Sequence, residues 1–265
     1  MLIIMRHGQS TWTDKSVNRF AGWVDIPLTH IGIEQAKRAG GLLQQSNLKP
    51  DVVFTSLLRR SIVTADIVLD GIDRSWIPVQ RSWRLNERHY GAFQGETRPA
   101  MHDQYGDELF ATYRRSYDVR PPAIDVDSPF FQGKDPKYGP LLQDGLDDKK
   151  PSEIRSECLK DLSQRLQPYW DKRVAPLLVA GKTVLVVTHG SVVRAIVKML
   201  EHVSDEDIRS INVPTGVPMI YDCGVSSDGT LAALGPGRYL DPKAAEQGIA
   251  EVSALGQSER GQSKQ

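Results

Sequence analysis

Cysteine is nearly absent: Cys158 and Cys223 are the two in 265 residues. Two thiols build neither a disulfide framework nor a cysteine-based zinc site. A reducing, cytoplasmic setting is the expectation for such a chain. No apolar run approaches the roughly 20 residues that a membrane helix needs. The first residues show no charged leader and no small-residue cleavage site, so no secretory signal is expected. Neither sign of charge dominates: Lys+Arg and Asp+Glu are both 33, giving a formal net charge of zero. That excludes nucleic-acid or membrane binding driven by overall charge and leaves room for a local basic pocket. There is no internal repeat, no Walker loop and no metal-ligand spacing, so no metal is expected.

What is present is ordinary for a globular protein, with 40% apolar and 25% charged residues. A chain of this length buries a large core. "LIIM" (2–5), "DVVF" (51–54) and "TVLVV" (183–187) are too short and apolar for helices and predict buried strands. Between them, spacings of three and four predict helices. One opens at Thr29 with Ile33, Ala36, Gly40 and Leu43, and another carries Leu58, Ile62, Ala65 and Leu69 after the cap candidates Thr55-Ser56. Two more carry Cys158, Leu162, Leu166 and Tyr169, and Val192, Ile196 and Met199. Alternating strands and helices predict an α/β fold: a three-layer, doubly wound, mostly parallel sheet with helices on both faces, in one domain spanning 1–265. Residues 88–152 break the rhythm and read as an irregular insertion or lid near the site, with Pro121, Pro122, Pro129, Pro136 and Pro140 within 118–150. Residues 245–265 read as a flexible tail. Trp12, Trp23, Trp76, Trp83 and Trp170 read as packing residues, and His30, His102 and His202 as exposed.

Two strands end in the same way. "LIIM" runs into Arg6-His7-Gly8, and "TVLVVT" into His189-Gly190. In open parallel sheets, ligands bind beyond the carboxyl ends of the strands. If the two strands are neighbours, both imidazoles face one crevice. Glycine admits close approach of backbone N–H groups, and a helix opening after Gly190 adds a positive dipole end. A single His-Gly pair after a strand is usually a turn; two of them, one preceded by Arg6, point to a shared site. A neutral imidazole can attack phosphorus and hold a phosphoryl group. A second imidazole, if protonated, and arginine forks match the charge on the three equatorial oxygens. Arg60 is predicted in the second turn of its helix, near a strand end, and Glu87 is the candidate proton donor and acceptor.

The stretches "RHGQSTW", "RFAGWVDIPLT", "RLNERHYGAFQG", "YGDE", "RRSYDVRPP", "PYW", "THGSVVRAIVK" and "VPTGVPMIY" follow in order from residue 6 to 221. Together they resemble the cofactor-dependent phosphoglycerate mutase family of the histidine phosphatase superfamily. The resemblance implies that His7 is the phosphorylated nucleophile and that Arg6, Arg60 and His189 bind the transferring group. It makes Glu87 the general acid/base, and lines the substrate pocket with Ser10, Thr13, Ala21, Gly22, Tyr90, Arg98, Arg114, Arg115, Gly190 and Ser191. It implies 2,3-bisphosphoglycerate as priming phosphate donor, phosphoglycerates as substrates, and a homodimer or homotetramer. Thr13 and Ser191 stand where the family carries Asn, Ala21 where it carries Ser or Thr, and Arg98 where it carries Lys. An insertion of two residues separates Trp12 from Arg19. These departures touch substrate choice rather than the set Arg6, His7, Arg60, Glu87 and His189. A bisphosphoglycerate mutase/phosphatase, a broad phosphomonoesterase and a non-catalytic binding protein on the same fold are the competing readings.

Overall fold

All five residues of the first strand, β1 (Leu2–Arg6), are buried. A computed structural model describes residues 1–139, 144–227 and 229–255. After β1 come α1 (His30–Gln45), β2 (Val52–Thr55), α2 (Arg59–Asp70), β3 (Val79–Arg81), α3 (Arg98–Arg115) and α4 (Leu159–Tyr169). Then follow α5 (Ala175–Val179), β4 (Val184–Thr188), α6 (Gly190–Leu200) and β5 (Met219–Tyr221). The chain continues with β6 (Cys223–Val225), β7 (Leu231–Ala233), β8 (Arg238–Tyr239) and α7 (Pro242–Ala254). Six strands form one sheet in the order β3-β2-β4-β1-β5-β8, and β6 pairs with β7 separately. The pairs β1–β4, β2–β4 and β2–β3 are parallel. β5 runs antiparallel to both β1 and β8. The expected α/β architecture, a mostly parallel sheet covered on both faces, is present.

Strand side chains alternate between faces, and the two faces bury different helices. Ile3, Met5, Val53, Leu185 and Val187 pack against Ala39 and Leu43 of α1 and Ala65, Val68 and Leu69 of α2. Leu2, Ile4, Phe54, Val184 and Val186 pack against Leu162 and Leu166 of α4 and Val192, Val193 and Ile196 of α6. Burial on both faces is why these strands are continuous apolar runs rather than alternating ones. Each such aliphatic side chain contributes about 1.5–3 kcal/mol relative to exposure.

Several local expectations need correction. The N-cap of α2 is Leu58, not Thr55 or Ser56. The Ser56 hydroxyl accepts the Leu58 N–H at 3.1 Å and lies one residue pair short of the cap. Within the segment expected to be irregular, α3 runs for 18 residues, capped by Thr97 and kinked at Gly106 (φ 72°). Its apolar side is small, mainly Met101 and Phe110 against Phe20 and Phe93, so periodicity did not reveal it. From 118 to 152 the described residues hold only short 3-10 turns, as the prolines predict. Residues 245–254 are not loose chain: they complete α7, whose Asp241 cap accepts the Ala244 N–H and pairs with Arg38. Residues 256–265 lie outside the described residues. Trp76 does not pack; it is 73% exposed, with the Arg74 guanidinium 4.9 Å from its ring centre. His30 and His202 are exposed, whereas His102 is half-buried and bonded to Asp107.

Candidate active site

Register alone brings the two histidines together. Arg6 of β1 pairs with Thr188 of β4, so the next residue on each strand leaves the sheet at the same point. The His7 N–H donates to the Thr188 carbonyl at 2.8 Å. The imidazole rings lie 5.0 Å apart at 62°. Both are buried.

His7 turns Nδ1 to the Gly8 carbonyl at 2.7 Å. Its Nε2 accepts from Arg60 Nε at 3.2 Å. The ring is therefore the Nδ1–H tautomer, with its lone pair on Nε2. Arg60 sits in the first turn of α2 rather than the second, and its other two nitrogens donate to the carbonyls of Val24 (2.9 Å) and Gly22 (2.7 Å). The fork is thus held against the 22–24 turn, beside His7. Arg6 donates to the Val213 carbonyl at 3.0 Å. Glu87 Oε1 accepts the backbone N–H of Arg88 (2.8 Å) and of Ser191 (3.1 Å). Among the described residues, no hydrogen bond engages Oε2.

Gly8 serves packing more than ligand approach. A Cβ on Gly8 would stand 2.2 Å from the Gly32 carbonyl oxygen of α1. The Gly8 N–H is already taken by Thr64 Oγ1 at 3.1 Å. Gly190 places its Cα side against Arg6, where a Cβ would meet Arg6 Nε at 3.6 Å.

Of the other predicted residues, Tyr90 is raised by burial and by Glu87, but Arg88 and Arg98 outweigh them and its hydroxyl is lowered. Arg98 donates to Asn18 Oδ1 and the Arg19 carbonyl, both at 3.0 Å, and covers the Phe20 ring. Arg115 donates to Asn212 Oδ1 at 2.5 Å. Arg114 reaches the Val252 carbonyl of α7 at 3.4 Å. Ala21 is buried beside Gly22, whose φ is +51°. Ser10 and Thr13 bond each other, Ser10 N to Thr13 Oγ1 at 2.8 Å. None of the described hydrogen bonds of Ser10 or Thr13 reaches either histidine.

Four residues escaped the sequence reading. Arg88 packs over the Tyr90 ring at 4.5 Å and donates to the Arg114 carbonyl at 3.0 Å. Arg194 donates to the Ile208 carbonyl at 2.7 Å; a lone cation in the apolar stretch "SVVRAIV" was its signal. Arg165 is buried and donates to the carbonyls of Arg84 (2.6 Å), Asn86 (2.9 Å) and Glu87 (3.0 Å) while pairing with Glu157 at 2.6 Å. Ser56 Oγ lies 2.8 Å from His189 Nε2.

The electrostatics are one-sided. Arg6, Arg60, Arg98 and Arg194 each interact with the Glu87 carboxylate, the Arg88 N–H donates to it, and Arg114 and Arg115 interact with each other and with Tyr90. Burial pulls Arg60 and Arg98 down to about 10 and Arg194 to about 9. Burial first, then Arg115 and Arg98, holds Arg114 well below its ordinary value. His7 is held well below the usual imidazole value by burial, then by Arg60 and Arg6. The same applies to His189, by burial, then Arg60, His7 and Arg6. Arg6 Nε, Arg88 Nε, Arg98 Nε, Arg194 Nε and His189 Nδ1 are buried without a partner. Each unmet donor costs about 1–3 kcal/mol, and a polyanion is the ligand that satisfies such a set. Among the described residues, no group of three or more His, Cys, Asp or Glu could hold a metal ion, and no helix is long and apolar enough to cross a membrane.

Residues 2–129 and 132–224 match the model of the histidine phosphatase superfamily (branch 1). The chain is 49% identical to a protein of Bifidobacterium longum (strain DJO10A) named 2,3-bisphosphoglycerate-dependent phosphoglycerate mutase, covering 97% of this chain and 98% of that one. It is 51% identical to a protein of the same name from Rhodococcus opacus (strain B4), covering 96% of each. Among solved structures, a mycobacterial glucosyl-3-phosphoglycerate phosphatase complexed with VO3 aligns with a TM-score of 0.62 at 19% identity, covering 88% of this chain and 96% of that one. A putative alpha-ribazole-5'-P phosphatase of Escherichia coli aligns with a TM-score of 0.61 at 22% identity, covering 92% and 98%. At such identities the two structures speak for the fold alone.

Proposed function

Because this chain belongs to the histidine phosphatase superfamily (branch 1), we propose that it is a 2,3-bisphosphoglycerate-dependent phosphoglycerate mutase, interconverting 3-phosphoglycerate and 2-phosphoglycerate through phosphohistidine at His7. The observation that carries this reading is the pair of rings 5.0 Å apart, His7 with its lone pair on Nε2, inside a crevice of arginines with unmet donors. The names of relatives about half identical over nearly the whole chain supply the substrate.

The orphaned donors fit a bisphosphate. Arg6, Arg60 and His189 would hold the phosphoryl group that reacts, and Arg98, Arg114 and Arg115 the far end of the molecule. When bound, 2,3-bisphosphoglycerate supplies the phosphoryl group that primes His7. In the cycle, phosphorylated His7 yields its phosphoryl group to the O2 hydroxyl of 3-phosphoglycerate, and the P–Nε2 bond breaks as the P–O2 bond forms. Glu87 Oε2 takes the hydroxyl proton. After the substrate turns in the pocket, His7 Nε2 attacks the phosphorus on O3. Glu87 returns the proton to O3, and 2-phosphoglycerate leaves. Arg60 holds charge in place throughout, because its fork is fixed to Gly22 and Val24. Residues 88–139 and 144–152 act as the cover that excludes water. A cytoplasmic glycolytic and gluconeogenic role and assembly as a homodimer or homotetramer complete the proposal.

A coupled assay with 3-phosphoglycerate, with and without trace 2,3-bisphosphoglycerate, tests it. We expect 2-phosphoglycerate as product and stimulation by the bisphosphate. Inorganic phosphate as the main product would replace the mutase with a phosphatase.

A further inference from the structure

Ser56 is fully buried, directly after β2. Its surroundings are closed. Ser61 Oγ accepts the Ser56 N–H at 3.3 Å and donates to the Val187 carbonyl at 2.6 Å. Thr55 Oγ1 donates to the Ser56 carbonyl at 3.0 Å. The Ser56 oxygen already accepts the Leu58 N–H at 3.1 Å. A hydroxyl has one proton to give. Among the described residues, the acceptor within its reach is His189 Nε2, at 2.8 Å.

From this geometry we propose that Ser56 is a positioning residue that fixes His189 as the Nδ1–H tautomer, making it a neutral hydrogen-bond donor to the transferring phosphoryl group. If Ser56 gives its proton to Nε2, the ring's own proton resides on Nδ1. Nδ1 is a buried atom that has no partner in the protein. A donor so placed has its hydrogen bond still to make, and a phosphoryl oxygen in the site is the partner assigned to it. The imidazole is held neutral by burial and by Arg60, His7 and Arg6, so its donor role does not depend on a second proton. The protonated second imidazole considered from sequence is then not required.

The two rings then carry the same tautomer for opposite purposes. His7 gives its Nδ1–H to Gly8 and keeps Nε2 unprotonated, its lone pair accepting from Arg60 Nε until phosphorus takes that contact's place. His189 has its Nε2 lone pair capped by Ser56 and offers Nδ1–H. Without Ser56, the Nε2–H form that a free imidazole prefers in water would leave a lone pair on Nδ1. A lone pair facing a phosphoryl oxygen repels it.

The proposal rests on the phosphohistidine reading for its purpose, but its test does not. Histidine-15N-labelled full-length protein, without substrate, is examined by long-range 1H–15N correlation at neutral pH, with the His189 signals assigned by their loss in His189→Gln. The expected result is a protonated Nδ1 and a bare Nε2. A proton on Nε2 in the unaltered protein overturns the proposal whatever the variants do. Ser56→Ala is expected to shift the proton toward Nε2 and to lower kcat by about 10- to 100-fold, within the range for loss of one preorganised donor, with KM within twofold. Ser56→Thr, which keeps the hydroxyl, is expected to restore the Nδ1–H signature. A Ser56→Ala protein with the original tautomer and the original kcat also overturns it. If the mutase assay yields only inorganic phosphate, the substrate reading fails while the tautomer result stands.

Discussion

Arg60 donates from Nε to His7 Nε2 at 3.2 Å, the atom that would attack phosphorus. The contact holds the imidazole in its nucleophilic tautomer and places a fixed positive charge beside the phosphoryl group as it arrives. Arg60→Lys keeps a charge but loses the fork that grips Gly22, Val24 and His7. We expect phosphoryl transfer to slow by roughly 10²–10³-fold, read by rapid quench of the labelled enzyme. A rate within threefold of the original would remove Arg60 from charge stabilisation.

His7→Ala should abolish an acid-labile phosphate label acquired from 2,3-bisphosphoglycerate. Since burial and two guanidiniums hold His7 well below the usual imidazole range, the ring stays neutral on acidification. Label formation should therefore be flat as pH falls from 8 to 6, where an unperturbed imidazole of pKa about 6.5 would lose nucleophile. A drop tracking pH 6.5 would contradict the depressed value.

Glu87→Gln should lower kcat by ~10²–10⁴-fold, the range for loss of general acid–base action. The amide oxygen can still accept the N–H groups of Arg88 and Ser191, so the fold should be unchanged by circular dichroism. Unchanged turnover would assign the proton to another group.

Arg165 bonds the carbonyls of Arg84, Asn86 and Glu87 and pairs with Glu157, all out of solvent. Arg165→Met strands the Glu157 carboxylate and frees the loop carrying Glu87. A loss of about 3–5 kcal/mol is expected in urea unfolding, as for other broken buried pairs. Arg165→Met with Glu157→Gln should recover part of it, because the second change removes the stranded charge.

His89 is buried, accepts the Gly91 N–H at Nδ1 and bonds Gln132 Oε1 at Nε2. Burial depresses it from 6.5 to about 4. The unfolded chain therefore binds more protons between those values, and stability, full above pH 6.5, is lost as pH falls toward 4. The loss from this residue is about 3 kcal/mol at the lower end. His7 and His189, also depressed, push the same way. Denaturant midpoints measured at pH 7.5, 5.5 and 4.5 should fall in that order, and His89→Asn should flatten the slope. A midpoint that rises on acidification would reverse the sign.

The sheet was legible because each central strand is a short apolar run buried on both faces, a pattern set by neighbours within a few residues. So were His7 and His189, because each directly follows such a run. Helix α3 was not, since only Met101 and Phe110 mark its buried side and Gly106 kinks it. The tail from 245 looked loose because its anchors, Arg38 on Asp241 and Arg114 on Val252, come from distant chain.

By itself, then, the order of residues determined two strand ends bearing imidazoles, a supply of arginines, and the alternation that makes a parallel sheet. Only the tertiary structure decided that β4 lies beside β1 in a register pairing Arg6 with Thr188, which puts two rings 5.0 Å apart. It also decided which polar side chains serve them. Ser56 meets His189 across 133 positions, and Arg60 meets His7 across 53. Contacts at such separations follow from how the sheet and helices pack, and no local periodicity encodes them.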